Sequence, residues 1–590
     1  MTTRIKVRHD TYQNWYDVNP VLALGEPGFE TDNNRVKYGD GTTHWRDLPY
    51  TGAGANQNGD INIGNHAGYC DQASDAIAIG NYAGEYCQGY HSIAIGEAAG
   101  NCDQSYVAVA VGRSAGNCNQ GTGAVAVGHL SGYECQGYRG VAVGRKAGRY
   151  CQGCYAVAIG AEAGQYCQSD GTVAVGEGAG GYCQGYHSIA IGSYAGSGCC
   201  GCHQSWDAIA IGRSAGYCNQ GHETVAIGHQ AGYNCQEAHA VAIGTHAGKY
   251  CQKYASIAIG NKAGECSQCE ESIAIGNFAG QCNQCYQTIA IGRSAGQNNQ
   301  SCCSVAIGYY AGRCGQGSGS VAIGRHTAEY NQGCHAVAIG ACAANGCCGN
   351  QGDLAVAIGR SAGYYNQGYG AVAVGHNAGN CTQYNHAVAI GYSSGYYFQG
   401  HGAVGVGVSA GRCCQGEYGV AIGYRTGRCN QQSQAIAIGA YAAESNVWYT
   451  VEWASGDGST NTIQITTGYD YANIRVGMAL YNNGYNGRVI TAINGTTLTL
   501  DGTASSTITG GTFQVDGRQG ANAIAIGAYA ARYAQAANSI VINATGSELP
   551  SQGSGTTVIK TLRTVTGSAP SGFSPVYWNP TTGELIIVTP

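Results

Sequence analysis

The stretch AIAIGNYAGEYCQGYHSIAIGEAAG, residues 76–100, carries the phrase IAIG twice, sixteen residues apart. With the glycine that closes the phrase as position 0, it recurs in sixteens at Gly64, Gly80, Gly96 and on to Gly192. It resumes from Gly212 to Gly340, again from Gly359 to Gly439, and once more at Gly527. A fixed short period is the mark of a repeat architecture, in which each unit buries its apolar face against the next. Large and small apolar residues alternate through SIAIG, the period-2 signal of a strand, and glycine follows where the backbone must turn. Sixteen residues suit two short strands and two corners. The prediction is an all-β chain: a parallel β-roll, or solenoid, of 16-residue coils.

The alternation gives an expectation about sides. Val or Ile at −3 and −1 share one face and Ala at −2 takes the other, both apolar. The large residues are expected to fill the coil, leaving the alanine face for close approach of a second chain. So thin an interior buries little alone, so the roll is expected to be an oligomer. At a rung spacing of ~4.8 Å, roughly two dozen coils make a rod on the order of 115 Å long.

Spacing faults orient the coil. The intervals Gly192–Gly212 and Gly340–Gly359 are longer than sixteen, yet Gln204 and Gln351 each keep their distance to the next glycine. The extra residues therefore enter between the AG pair and the glutamine, as does the large insertion after Gly439. A corner that accepts insertions faces solvent.

Glutamine stands at +8 through the array, as at Gln88, Gln104, Gln120 and Gln136. Amides stacked in register form a hydrogen-bonded ladder; the alternative is a row of sugar-binding amides. All 30 cysteines lie within the array, mostly at +6 or +7. Neighbouring coils share a column at Cys102 and Cys118, Cys135 and Cys151, and Cys167 and Cys183. The rung spacing falls within the ~4.4–6.8 Å Cα window of a disulfide. These pairs are candidates for rung-to-rung or chain-to-chain disulfides, formed in an oxidising medium; the alternative is a column of semi-buried thiols. The run C-x2-C-x12-C-x2-C at Cys266, Cys269, Cys282 and Cys285 imitates a zinc motif. Its gap is the repeat period itself, so no metal is assigned, and no cofactor is expected.

Composition narrows the classes. The chain has 98 glycines and 43 tyrosines, 11% charged residues and a net charge of −6. No basic patch exists to neutralise phosphates, so a nucleic-acid partner is not expected. No apolar run reaches the ~18 residues of a membrane span, so membrane insertion is not expected. The opening MTTRIKVRHDTYQNW has no apolar stretch that reads as a secretory signal. The sequence lacks a metalloprotease His pair, a nucleophile elbow and a phosphate loop, and catalysis is not expected.

Outside the array, residues 1–50 read as a small β module with a turn at Gly39–Gly41 and Trp45 as a core anchor. Its Asn19, Pro20, Gly25, Glu26, Glu30, Asp32, Lys37, Gly39, Asp40, Gly41, Trp45 and Leu48 resemble the N-terminal module of the major tropism determinant family, found in phage tail fibres. That resemblance covers about fifty residues and implies a virion protein attached through its N-terminus to a tail or baseplate protein, extracellular after host lysis. The repeats, running over 51–445 and again over 521–545, resemble the head of trimeric autotransporter adhesins. That likeness implies a left-handed roll and a homotrimer, although the Cys-Gln tail and sixteen-residue period depart from that family's pattern.

Residues 446–520 read as an inserted antiparallel β-domain, from short Thr/Val/Ile runs between Gly and Asn. Within it Trp448, Tyr449, Trp453, Tyr469, Tyr471, Tyr481 and Tyr485 are candidates for stacking on sugars, the alternative being ordinary core and rim positions. Residues 546–590 read as a C-terminal β cap. They resemble the strand segment that precedes the self-cleaving chaperone of some phage fibres. Together these readings imply a phage tail fibre that adheres to a host surface polysaccharide. The alternatives are a free or cell-surface trimeric filament and a tailspike depolymerase.

Overall fold

The computed structural model describes residues 7–32, 35–48, 50–51, 59–198, 203–346 and 350–444. Beyond these it describes 448–455, 462–465, 479–481, 488–494, 497–500, 511–516, 519–532, 535, 537–544, 557–560, 576–579 and 584–587. The chain forms two compact units, Met1–Ile323 and Gly324–Pro590.

The first unit opens with a small module. Helix Tyr12–Val18 is capped by the Thr11 side chain, which accepts from the Asn14 N–H, and ends on Asn19 in the left-handed conformation. Strands Arg8–Asp10, Pro27–Glu30, Arg35–Tyr38 and Tyr50–Thr51 form one mixed sheet beside it. Trp15, Leu22, Trp45 and Leu48 make the core, with the two indoles stacked at 4.1 Å.

The rest of the unit is a parallel β-solenoid, and the second unit carries the same coil. Most coils supply a strand at −3 to −1, such as Val109–Val111, and a second at +6 to +8, such as Cys118–Gln120; at Gln204, Gln351 and Gln431 the second is reduced to isolated bridges. Equivalent strands stack in register, Ala110 on Ala126 and Gln120 on Gln136. The residue at +7 is left out of the second ladder because it sits at positive φ, for example 55° at Asn119. Positions +2 and +11 are left-handed as well, even where the residue is β-branched (Val107, φ 50°). Each such non-glycine residue costs about 1–2 kcal/mol, offset by its ladder contacts: Val107 N–H donates to Tyr90 O at 2.9 Å. Glycine at position 0 is dictated by sterics. A Cβ on Gly112 would lie 2.7 Å from the carbonyl oxygen of Gly128.

The sides of the coil are the reverse of the sequence expectation. Ala at −2 points inward and is fully buried, as are Ala78, Ala94, Ala110 and Ala126, together with the +3 alanines Ala83, Ala99 and Ala115. The Val and Ile at −3 and −1 face outward, half-buried or exposed, with Ile159 at 41%. The reason is volume: two strands of three residues joined by tight corners approach so closely that alanine fills the gap. The close approach that alanine permits is within one coil, and the large side chains are left on the outer face.

Glutamine fills what alanine leaves. Gln120 Nε2 donates to Gln136 Oε1 at 3.0 Å and to Val109 O at 2.9 Å. The same amide-to-amide contact joins Gln104, Gln120, Gln136, Gln152, Gln168 and Gln184 in succession. These side chains are buried, so they are not a sugar-binding row.

In the second unit, strand Ile436–Ile438 pairs directly with Ile524–Ile526, so the stack continues past the insertion. Buried Glu444 seals that junction, holding Arg425 and Arg532 at 2.9 Å each. Between them, strands Trp448–Ser455, Thr462–Ile465, Ala479–Tyr481, Arg488–Asn494, Thr497–Leu500 and Gly511–Asp516 close into an antiparallel barrel. Stacking runs past residue 545: Ile540–Asn543 and then Thr557–Lys560 add parallel strands. Val576–Asn579 and Glu584–Ile587 pair as an antiparallel hairpin. Among the described residues no helix is long and apolar enough to cross a membrane.

Candidate functional site

Because the side-chain columns repeat every coil, rings at one corner come into contact with rings of the next coil in several places. At +6, Tyr150, Tyr166 and Tyr182 stack with centroids 5.3 and 5.1 Å apart. At the corner +10 and +11 the first unit carries Trp206, His222, His239 and Tyr254 in unbroken contact at 4.7, 5.0 and 5.2 Å. The second unit repeats the pattern with Tyr369, His386, His401 and Tyr418 at 5.4, 5.6 and 5.3 Å. Tyr254 and Tyr418 stay well exposed at these corners.

Beside the second row lies an open groove of about 490 Å³, lined among others by Tyr384, Phe398, His401, Glu417, Asn430 and Gln432. Tyr384 and Phe398 present 54% and 52% of their surface to solvent. Two open rings beside a carboxylate and two amides suit a sugar, whose C–H face stacks on an aromatic ring while its hydroxyls hydrogen-bond. Sequence reading placed the binding aromatics in the insertion and missed this groove. Its residues come from four successive coils, so no local run of sequence displays it.

Of the insertion aromatics, Trp448, Tyr449 and Trp453 lie on the strand Trp448–Ser455, and Tyr481 ends Ala479–Tyr481. Backbone register sets Tyr449 opposite Val515 and Tyr481 opposite Gln514, so strand Gly511–Asp516 brings these two strands together. Tyr469, Tyr471 and Tyr485 lie outside the described residues.

Every described cysteine is a free thiol. Cys102 and Cys118 are paired in register at +6, and burial beside Cys102 pushes the Cys118 thiol up to about 11. Cys135, Cys151, Cys167 and Cys183 occupy the exposed, left-handed +7 column of consecutive coils. Burial raises Cys151 and Cys167, with neighbouring thiols adding to it. A further in-register pair, Cys413 and Cys429, was not singled out from sequence. There the hydrogen bond from Cys429, aided by Arg412 and Arg428, lowers the Cys413 thiol to about 7, while Cys429 is pushed up as the proton's holder. The arginines at +5 were the available signal. In the zinc-like run, Cys266 pairs with Cys282 on one side of the glutamine ladder. Cys269 and Cys285 lie past the glutamine, and no three of the four sulfurs come within 4.8 Å of one another.

Residues 5–43 match the family described as the major tropism determinant N-terminal domain. No curated protein and no solved structure is significantly similar to the chain.

Proposed function

We propose that the chain is the adhesive fibre of a phage tail. The observation that carries this reading is the tropism-determinant module at residues 5–43 on a chain otherwise dominated by parallel coils. In this reading the module attaches to a tail or baseplate protein, the coils form the shaft, and exposed aromatic surfaces bind a host surface polysaccharide. The role is binding, with no bond-breaking chemistry. The groove at Tyr384 and Phe398 and the barrel of the insertion are the two candidate contact surfaces.

The fibre is a homotrimer in this reading, and the outward Val/Ile rows support it. A continuous apolar stripe marks an interaction surface, which in this reading further copies of the chain cover. The cysteine columns act as staples, two neighbouring thiols losing two electrons and two protons to an oxidant such as oxidised glutathione.

Light scattering of the native chain tests the assembly. Three times the 60.6 kDa chain mass, with and without reductant, is expected; a monomer in both overturns the trimer. Adsorption assays separate the contact surfaces. Tyr384→Ala with Phe398→Ala is expected to reduce adsorption if the groove binds, and deletion of 446–520 if the barrel does. Loss in neither removes adhesion from the reading.

A further inference from the structure

We infer that the first unit holds a divalent transition-metal site at His222, Glu223 and His239. One ligand atom from each of the three side chains lies within 4.8 Å of the others, and among the described residues no other group of His, Cys, Asp and Glu converges in this way. Two imidazoles and a carboxylate are the donor set of an open zinc-type site, with water completing the shell.

The fold brings the three together through the repeat. Glu223 and His239 occupy the same +11 corner of successive coils, both left-handed at φ 55° and 60°. The ladder fixes the corner backbone: Glu223 N–H donates to Trp206 O and His239 N–H to His222 O, each at 3.1 Å. Trp206 stacks on the His222 ring with 5° between planes, and His239 meets that ring at 89°. Two of the donors already touch, with His239 Nδ1 at 2.9 Å from Glu223 Oε2. The third is the telling one. His222 Nδ1 is shut off from solvent and takes no hydrogen bond. An ion pair between Glu223 and His239 gives no reason for a second imidazole held rigidly beside it, whereas a metal ion does.

The matching row in the second unit is a built-in control. His386 and His401 hold the same corner, but Asn385 and Gly402 stand where a carboxylate would be needed. Glu417 lies one coil on from His401 but does not converge with the two imidazoles, so that row is not expected to bind. A metal bound at the first row joins two adjacent coils at their flank.

The test uses the full chain with its thiols carbamidomethylated, so that cysteine does not compete. Titration with Zn²⁺ by calorimetry is expected to show one more site per chain than His222→Ala or His239→Ala retains. Glu223→Gln is expected to weaken that site at least about tenfold, since losing a direct ligand costs no less than losing an outer-shell partner, and His401→Ala to leave it unchanged. Because a corner variant can perturb the stack, Co²⁺ absorbance on the unmutated chain is the second readout, with visible bands of nitrogen and oxygen ligation expected. Equal Zn²⁺ uptake by the unmutated chain and both histidine variants overturns the site, as does the absence of Co²⁺ bands.

Discussion

In the N-terminal module, Trp15 and Trp45 stack at 4.1 Å over Leu22 and Leu48, and the Trp15 indole N–H donates to Phe29 O at 3.0 Å. In the coils the buried residues are Ala78, Ala94, Ala110 and their equivalents, with a glutamine in each turn. The module is held by a few large side chains, each of which matters greatly. The coil is held by many small ones, repeated hydrogen bonds and close fit. A residue that is indispensable in one region has no counterpart in the other, so the same class of substitution should act with opposite consequences.

The largest effect is expected at Trp45. Trp45→Ala removes half of the stacked pair from a core of four residues and should cost the module about 3–5 kcal/mol. Hydrogen exchange should accelerate across residues 12–48 and stay unchanged in the coils. If protection falls in both, the two regions are not independent and the comparison breaks. Next comes enlargement of the coil interior. Ala126→Leu forces a larger side chain between the two strands and should cost about 1–3 kcal/mol. Val127→Ser on the outer face should cost the coil itself less, but should weaken self-association. If Val127→Ser unfolds the coil and Ala126→Leu does not, the assignment of inside and outside is wrong.

A natural exchange in the second unit sharpens the point. Ser394 replaces an interior alanine, and Gly405 replaces the facing one. The Ser394 hydroxyl donates to Gly405 O at 2.8 Å, and a Cβ on Gly405 would sit 2.8 Å from it. One extra oxygen is accommodated by one missing methyl. Gly405→Ala should therefore cost about 1–2 kcal/mol, and Ser394→Ala in the same chain should recover most of that. A double-mutant cycle in thermal melts with no coupling would show that the interior has slack.

The period, the two strands, the glutamine column and the insertion point were legible because each is a statement about spacing. The inside was not, because both faces of SIAIG are apolar and alternation alone does not say which turns inward. The deciding signal was volume: alanine recurs at −2 and again at +3, and two such columns facing each other leave no room for isoleucine. The left-handed corners at +2, +7 and +11 carried no signal, since Cys, Tyr, Val and His occupy them as readily as Asn or Asp. Helix Tyr12–Val18 was missed within a module read as all β, although Thr11 and Asn19 mark its ends. His222, Glu223 and His239 were passed over because their relation appears only once coils are stacked.

The smallest expected effect lies in the module, where the one buried cation among its described residues shows what a side-chain core tolerates and an alanine core does not. Lys37 is buried, and desolvation lowers its ammonium to about 8. In the unfolded chain it titrates near ~10.4. Between these values the unfolded chain binds more proton, so stability should rise with pH from about 8 and fall back as pH drops through it. The gain should be modest, on the order of 1 kcal/mol, because other contacts favour the charge. Nζ donates to Trp45 O at 2.7 Å and lies 4.3 Å from the Tyr50 ring centre. Tyr50 sets the upper limit of the window. Burial and Glu30 push its phenol up, so above pH ~10, where an unfolded tyrosine ionises, it opposes the trend. Denaturation of the module followed by hydrogen exchange between pH 8 and 10 should show the rise, and Lys37→Met should abolish it. A slope that survives Lys37→Met would belong to another group, and the buried amine would then be held in its charged form throughout.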